Sequence, residues 1–283
     1  MTKASDILVF DRALARKKRS HISQDHDFLF QYAAEHLNDR LKDINRDFEK
    51  ILQIGGRVNL SLPNTICMDL AGDTDLIADE EMLPFADSSL DLVLSPLNLH
   101  SVNDLPGALI QIRRALKPDG LFIAAMFGGE TLYELRDCLT KAELSLSGGL
   151  SPRVFPFADK QQMGGLMQRA GFALPVVDSD LITVTYPTLQ KLMRDLKGMG
   201  ESNIISARKK SLTTPRFFDT VESIYKNTYS EDDKLTATFE VIFLTGWAPH
   251  ASQQNPLRPG SAKNKLSEAL GTTEIKTGEK ALP

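Results

Sequence analysis

Cysteine is almost absent: the chain of 283 residues has two, Cys67 and Cys138, each inside an apolar stretch. That is too few for a disulfide-stapled fold. It suits buried free thiols in a reducing compartment, with a single disulfide as the alternative. No C-x-x-C pair occurs and the five histidines are scattered, so no zinc site is spelled out. His21 and His26 stand five apart, which does not bring them together on a helix. The longest unbroken apolar run, Leu121–Phe127, is far too short to span a bilayer. Net charge is only −4, which gives no global pull toward nucleic acid or an anionic membrane. The N-terminus lacks an apolar signal core and a long Arg/Ser-rich presequence, so the expected location is the cytoplasm of a bacterium.

What is present is ordinary for a globular protein: 42% apolar and 25% charged residues. Short apolar runs at Ile51–Ile54, Thr65–Leu70, Asp91–Ser95 and Leu121–Phe127 read as strands of a covered parallel sheet. Asp104–Leu116 carries Leu105, Leu109, Ile112 and Leu116 at helical spacing, and Lys117-Pro118-Asp119-Gly120 predicts a sharp turn after it. Thr131–Leu146, Asp159–Ala170, Leu189–Gly198 and Pro215–Tyr229 read as helices, and Leu181–Tyr186 and Thr236–Trp247 as alternating strands. The sum is an α/β fold with an open, mostly parallel sheet. Its expected organisation is a helical N-terminal arm (1–45) and an α/β domain (46–250) with a helical insertion at about 187–230 before the last strand. A disordered tail (251–283), poor in aromatics, would follow.

The stretch KILQIGGRVNL begins as a strand running into a glycine loop, but Arg57, Val58 and Asn59 stand where further glycines would follow. Nine residues, Gly56 to Asn64, separate the first two strand candidates, and eight, Leu70 to Ile77, follow the second. A crossover containing a helix needs about ten to twelve residues or more. The first two crossover helices are therefore expected to be missing or cut to turns.

LIADEEMLPFADSSLDLVLSPLNLHSVNDLPGALIQIRRALKPDGLFIAAMFGGETLYELR resembles the class I S-adenosylmethionine-dependent methyltransferases, whose fold is Rossmann-like. FDRALARKKR, ADEEMLPF, LHSVNDLP, MFGGETLYELR, SPRVFPF and GMGESN resemble, more narrowly, the family of complex I assembly factors described as arginine hydroxylases, over roughly residues 8 to 260. The resemblance implies a cofactor site at Gly55, Asp69, Asp79, Glu80 and Ser95, with Asp69 on the ribose and Asp79 on the adenine. It also implies a subunit of respiratory complex I as partner. Acids after strands are equally common turn formers. The chain departs from the pattern at Gln53, where an acid is usual, and at Ser101, where the relatives usually carry Trp. The lost helix removes amides and a dipole that would face the cofactor's carboxylate, so S-adenosylmethionine is expected to bind weakly or not at all.

Candidate reactive residues are Glu130, Tyr133 and Arg136, whose spacing brings them round one side of a helix start, and His100, which could serve as a general base. Plain structural roles are the commoner account: a helix-start acid, an amphipathic tyrosine, a partly buried histidine. Glu201 and Asn203 are substrate contacts by resemblance alone. Arg12, Arg16, Lys17, Lys18 and Arg19 make a basic helix face, read as solvated, or else as a contact for an acidic partner or the inner-membrane surface. No 2-His-1-carboxylate set announces iron. Two function classes stay open: an enzyme that methylates or hydroxylates its substrate, and an assembly chaperone that kept the fold.

Overall fold

Apolar residues in short runs, covered on both sides, build one open sheet. The computed structural model describes residues 8–20, 24–254, 261 and 265–273. The strands are β1 (Ile51–Ile54), β2 (Thr65–Asp69), β3 (Leu76–Ile77), β4 (Leu90–Pro96), β5 (Leu116–Phe127), β6 (Ala173–Tyr186), β7 (Ser230–Glu231) and β8 (Lys234–Trp247). They lie in the order β3-β2-β1-β4-β5-β8-β6, with β7 paired to β8. β1 to β5 are mutually parallel, and β8 runs antiparallel between β5 and β6. This is the α/β, mostly parallel Rossmann-like sheet expected from the sequence.

The helices are α1 (Arg12–Arg19), α2 (Phe28–Lys42), α3 (Leu105–Ala115), α4 (Tyr133–Ser147), α5 (Lys160–Arg169), α6 (Leu189–Gly198), α7 (Pro215–Thr228) and α8 (Leu266–Ala269). Successive strand side chains point to opposite faces. Leu92, Leu94, Ile123 and Ala125 therefore meet α2, α4, α6 and α7 on one face, while Val93, Phe122 and Ala124 meet α3 and α5 on the other. Residues 55–64 and 70–75 contain no helix, so both early crossovers are stripped to loops as the spacing predicts. α6 and α7 form the helical insertion between β6 and β8. Residues 251–283 group as a second unit, in which α8 is described; most of the tail expected to be disordered lies outside the described residues.

Two expectations need correction. Lys117–Gly120 does not end a helix with a free turn: Leu116–Phe127 is one strand with a register irregularity. The left-handed residue is Asp119 (φ 64°) rather than Gly120. The segment is stitched to the end of β8, with Asp119 N donating to Ala248 O and Ala248 N to Gly120 O. A Cβ on residue 120 would meet the Lys117 carbonyl at 2.8 Å, which is why glycine stands there. β6 also starts earlier than its alternation suggested, at Ala173. Pro175 breaks the pattern inside a register shift at the sheet's edge, where a missing N–H is tolerated.

Candidate functional site

β1 delivers the chain to Gly55, whose φ of 107° suits glycine. A Cβ there would lie 2.9 Å from Asn98 Nδ2. The loop that follows is held by side chains instead of a helix. Gln53, 1% exposed, donates from Nε2 to Gly55 O (2.7 Å) and Val58 O (2.6 Å) and accepts from Leu60 N (3.2 Å). Arg57 pairs with Asp27 (2.5 Å), donates to the carbonyls of Gly198 and Met199 at the end of α6, and lies over the ring of Phe30.

Three acids converge past the ends of β2 and β3. Asp69 Oδ2 accepts from Gly56 N (2.7 Å). Asp79 and the buried Glu80 follow β3. α1 closes over them. Its N-cap Asp11 accepts from Leu14 N (3.0 Å). Arg12 and Arg19 stand two turns apart on one face, with the small, buried Ala15 between them. Arg12 Nη2 lies 2.7 Å from Asp79 Oδ1 and 2.5 Å from Glu80 Oε2. Arg19 Nη1 lies 2.9 Å from Asp69 Oδ1 and 2.8 Å from Glu80 Oε1, and its Nη2 reaches Asn98 Oδ1 and Ser101 Oγ. Burial opposes the Arg19 charge, yet Glu80 and Asp69 hold its pKa above the ordinary value. Burial likewise works against the Asp79 carboxylate, but the Glu81 amide and Arg12 lower its pKa on balance. The reading of this helix face as solvated is thus corrected for Arg12 and Arg19: the acids they meet are the chain's own. Arg16 and Lys17 are exposed.

The chain before α1 is anchored as well. Asp11 N donates to Ile204 O, Ser206 N donates to Val9 O, and Lys18 Nζ donates to Asn203 O. Burial, then the nearby Arg208, brings the Lys18 pKa down to about 8.

The space left between α1 and the strand ends is a cavity of about 30 Å³ bordered by Arg19, Gly55, Asp69, Asn98 and Ser101. A water needs roughly 10–15 Å³ by this measure, so it holds about two waters. That is far less room than an adenosine takes up, and the acids that the resemblance assigns to it hold arginines. Ser101, standing where the resemblance gives Trp, leaves the room that the Arg19 guanidinium takes. Ser95 is fully buried in β4, with its Oγ unpartnered.

The reactive candidates each have their own side-chain or backbone partners. Glu130 is exposed in the turn before α4, and its amide donates to Glu240 Oε2. Tyr133 packs edge-on to Tyr229. Arg136 Nη2 donates to the carbonyls of Gly129 and Thr131. His100 is enclosed between Phe127 and Phe157, with Nε2 3.1 Å from Glu201 Oε2. Asn203 spends its amide on Pro152 O and Ile205 N. His26 pairs with Asp195; His21 lies outside the described residues. Cys67 and Cys138 are both free, and burial pushes the Cys138 thiol up to about 12. Among the described residues no group of three His, Cys, Asp or Glu is placed to hold a metal ion, and no helix is long and apolar enough to cross a membrane.

Sequence reasoning missed the pairing of α1 with the acids. Its signal was there: two arginines seven apart with an alanine between them, ahead of an ADEE segment. It missed too a second cavity, about 190 Å³, between the end of β5, Phe239 of β8 and helices α4, α6 and α7.

Residues 65–124 match the model of a methyltransferase domain. The chain is 40% identical to "Arginine-hydroxylase NDUFAF5, mitochondrial" of Danio rerio over 92% of its own length and 89% of that protein's. With the human protein of that name it shares 39% over 94% and 85%. A malonyl-[acyl-carrier protein] O-methyltransferase of Xylella fastidiosa is 36% identical over 62% of this chain and 57% of its own. Among solved structures, the YcgJ protein of Bacillus subtilis superposes with a TM-score of 0.51 at 12% identity, over 76% of this chain and 98% of that one, a likeness of fold alone.

Proposed function

The chain belongs to the family of the NDUFAF5 arginine hydroxylases, and from that premise we propose that it is a methyltransferase-fold assembly factor that acts by binding a protein subunit of respiratory complex I. In this reading it has given up S-adenosylmethionine. The observation that carries the proposal is the closure of Asp69, Asp79 and Glu80 by Arg12 and Arg19. α1 takes the space of the cofactor's adenosine half, its arginines occupy the carboxylate acceptors that ribose and adenine would use, and the stripped loop after Gly56 offers no helix N-terminus to the carboxylate half. The protein's work then lies in its surface rather than in group transfer, and its place is the cytoplasm beside the inner membrane. The partner assignment comes from the resemblance to the assembly factors.

Two measurements test this. S-adenosylmethionine at a hundred times its dissociation constant stabilises a folded protein by about 2.7 kcal/mol. Thermal melts in tens of micromolar cofactor are expected to show no such gain; if they do, the cofactor site works and a methyltransferase acting on a protein or a small molecule becomes the better reading. Affinity purification from a host that builds complex I is expected to bring down one of its subunits without adding mass to it, and a mass shift of a methyl group or an oxygen on that subunit would restore the enzyme.

A further inference from the structure

The cavity of about 190 Å³ adjoins the small one that α1 closes, with Phe155, Met199 and Glu201 standing between the two. Phe127 and Phe239 form its strand side, Leu135 and Leu139 of α4 one wall, and Met193 of α6 with Met199 at that helix's C-cap another. We propose that it is a binding site for a neutral apolar group, a single ring or a short alkyl chain. This goes beyond the assembly-factor reading and does not depend on it.

Size decides the first half of the proposal. An engineered cavity of about 150 Å³ lined by Leu, Ile and Phe stays dry and takes benzene. The present one is somewhat larger; Phe127, Leu135, Leu139, Leu196 and Phe239 give it a comparable apolar side, with Thr131, Arg153, Glu201, Ser202 and Asn203 at its polar margin, and the space takes a ring with one or two substituent atoms. Water held against that apolar side makes few hydrogen bonds, so a neutral group that displaces it gains by leaving water. Met193, a flexible side chain 38% exposed, stands where the cavity meets solvent and can adapt to an entering group.

Polar bookkeeping at the margin decides the second half. Arg153 gives Glu143 two hydrogen bonds, of 3.0 and 2.8 Å, and lies 4.4 Å over the ring of Phe217. Thr131 Oγ1 donates to Glu240 O. Asn203 is bonded to Pro152 O and Ile205 N. Glu201 faces His100 Nε2 and shares its field with Lys18. The Arg153 charge already has its counter-group and Glu201 has a hydrogen-bond partner in His100, so an ionic ligand would shed its hydration for little in return, whereas an apolar one gains by leaving water. The chemistry therefore differs from the guanidinium in the relatives' name.

The test is a titration of the full chain carrying 13C-methyl methionine. Met193 and Met199 line the cavity, while Met68 and Met163 belong to the opposite face of the sheet and serve as controls. Toluene is expected to shift Met193 and Met199 saturably, with half-saturation at about a millimolar or below, and to leave the controls in place. n-Butylguanidinium is expected to move none of them. N-acetylphenylalaninamide separates the sources: if it shifts the same methyls, a polypeptide side chain can supply the group, and if toluene alone does, a small molecule supplies it. Leu139→Phe fills the cavity and is expected to weaken toluene at least tenfold; if that variant does not fold, Met193→Phe at the rim serves instead, followed through Met199. The proposal falls if toluene gives no saturable shift, if n-butylguanidinium moves Met193 and Met199 more than toluene does, or if the filled variant binds as well as the parent.

Discussion

Gln53 stands where an acid is usual, and its amide does what a carboxylate cannot: it donates to two carbonyls of the loop it holds. Gln53→Glu would set a buried charge against Gly55 O and Val58 O. We expect a loss of about 3 kcal/mol, read from the midpoint of urea unfolding; an unchanged midpoint would remove the loop-pinning role. Lys18 gives a second residue-level prediction. Its pKa is about 8 in the fold against an ordinary 10.5, so the folded state gives up its proton before the unfolded one does. Stability from this group is therefore lowest below about pH 8 and rises toward pH 10.5. Relative to the parent, Lys18→Met should be most favourable near pH 7 and lose that advantage near pH 10, by paired melts at the two values. Asp79 works the other way: its pKa is lowered below 3.8, so its contribution is present above that value and is lost as the pH falls through the depressed one.

At the scale of elements, α1 is held chiefly by ion pairs and by the backbone bonds of Val9 and Asp11 to residues 204–206, with a small apolar contact through Phe10 and Ala15. The two apolar layers of the sheet do without it. A chain begun after Ser20 should therefore keep a cooperative fold at a lower melting temperature, with amide protection lost first from Asp69 to Glu80; unaltered protection there would mean that α1 does not hold the acids. What could be read from sequence follows the same division. β1, α6 and β8 were legible because each carries one unbroken periodicity with a polar boundary. The start of β6 was not, because Pro175 and the polar Asp178, Ser179 and Asp180 of an edge strand mask its alternation. The acids of the site were legible as strand-end residues, but their partners were not. A helix face looks solvated until the fold brings acids to it, here from 50 to 68 positions away.

For the molecule as a whole, residues 251–283 group apart from Met1–His250. Their deletion is expected to move the melting temperature by no more than about 2 °C; a fall of many degrees would place them in the core. The missing crossover helix has a kinetic meaning as well. Ile51 meets Thr65 across the short loop 55–64, whereas Tyr186 must wait for Leu235 beyond the whole helical insertion. Closing a short loop loses less chain entropy than closing a long one. On that ground the β1–β2 pair is expected to form before the β6–β8 pair, with Asp69 in place at its far end by then.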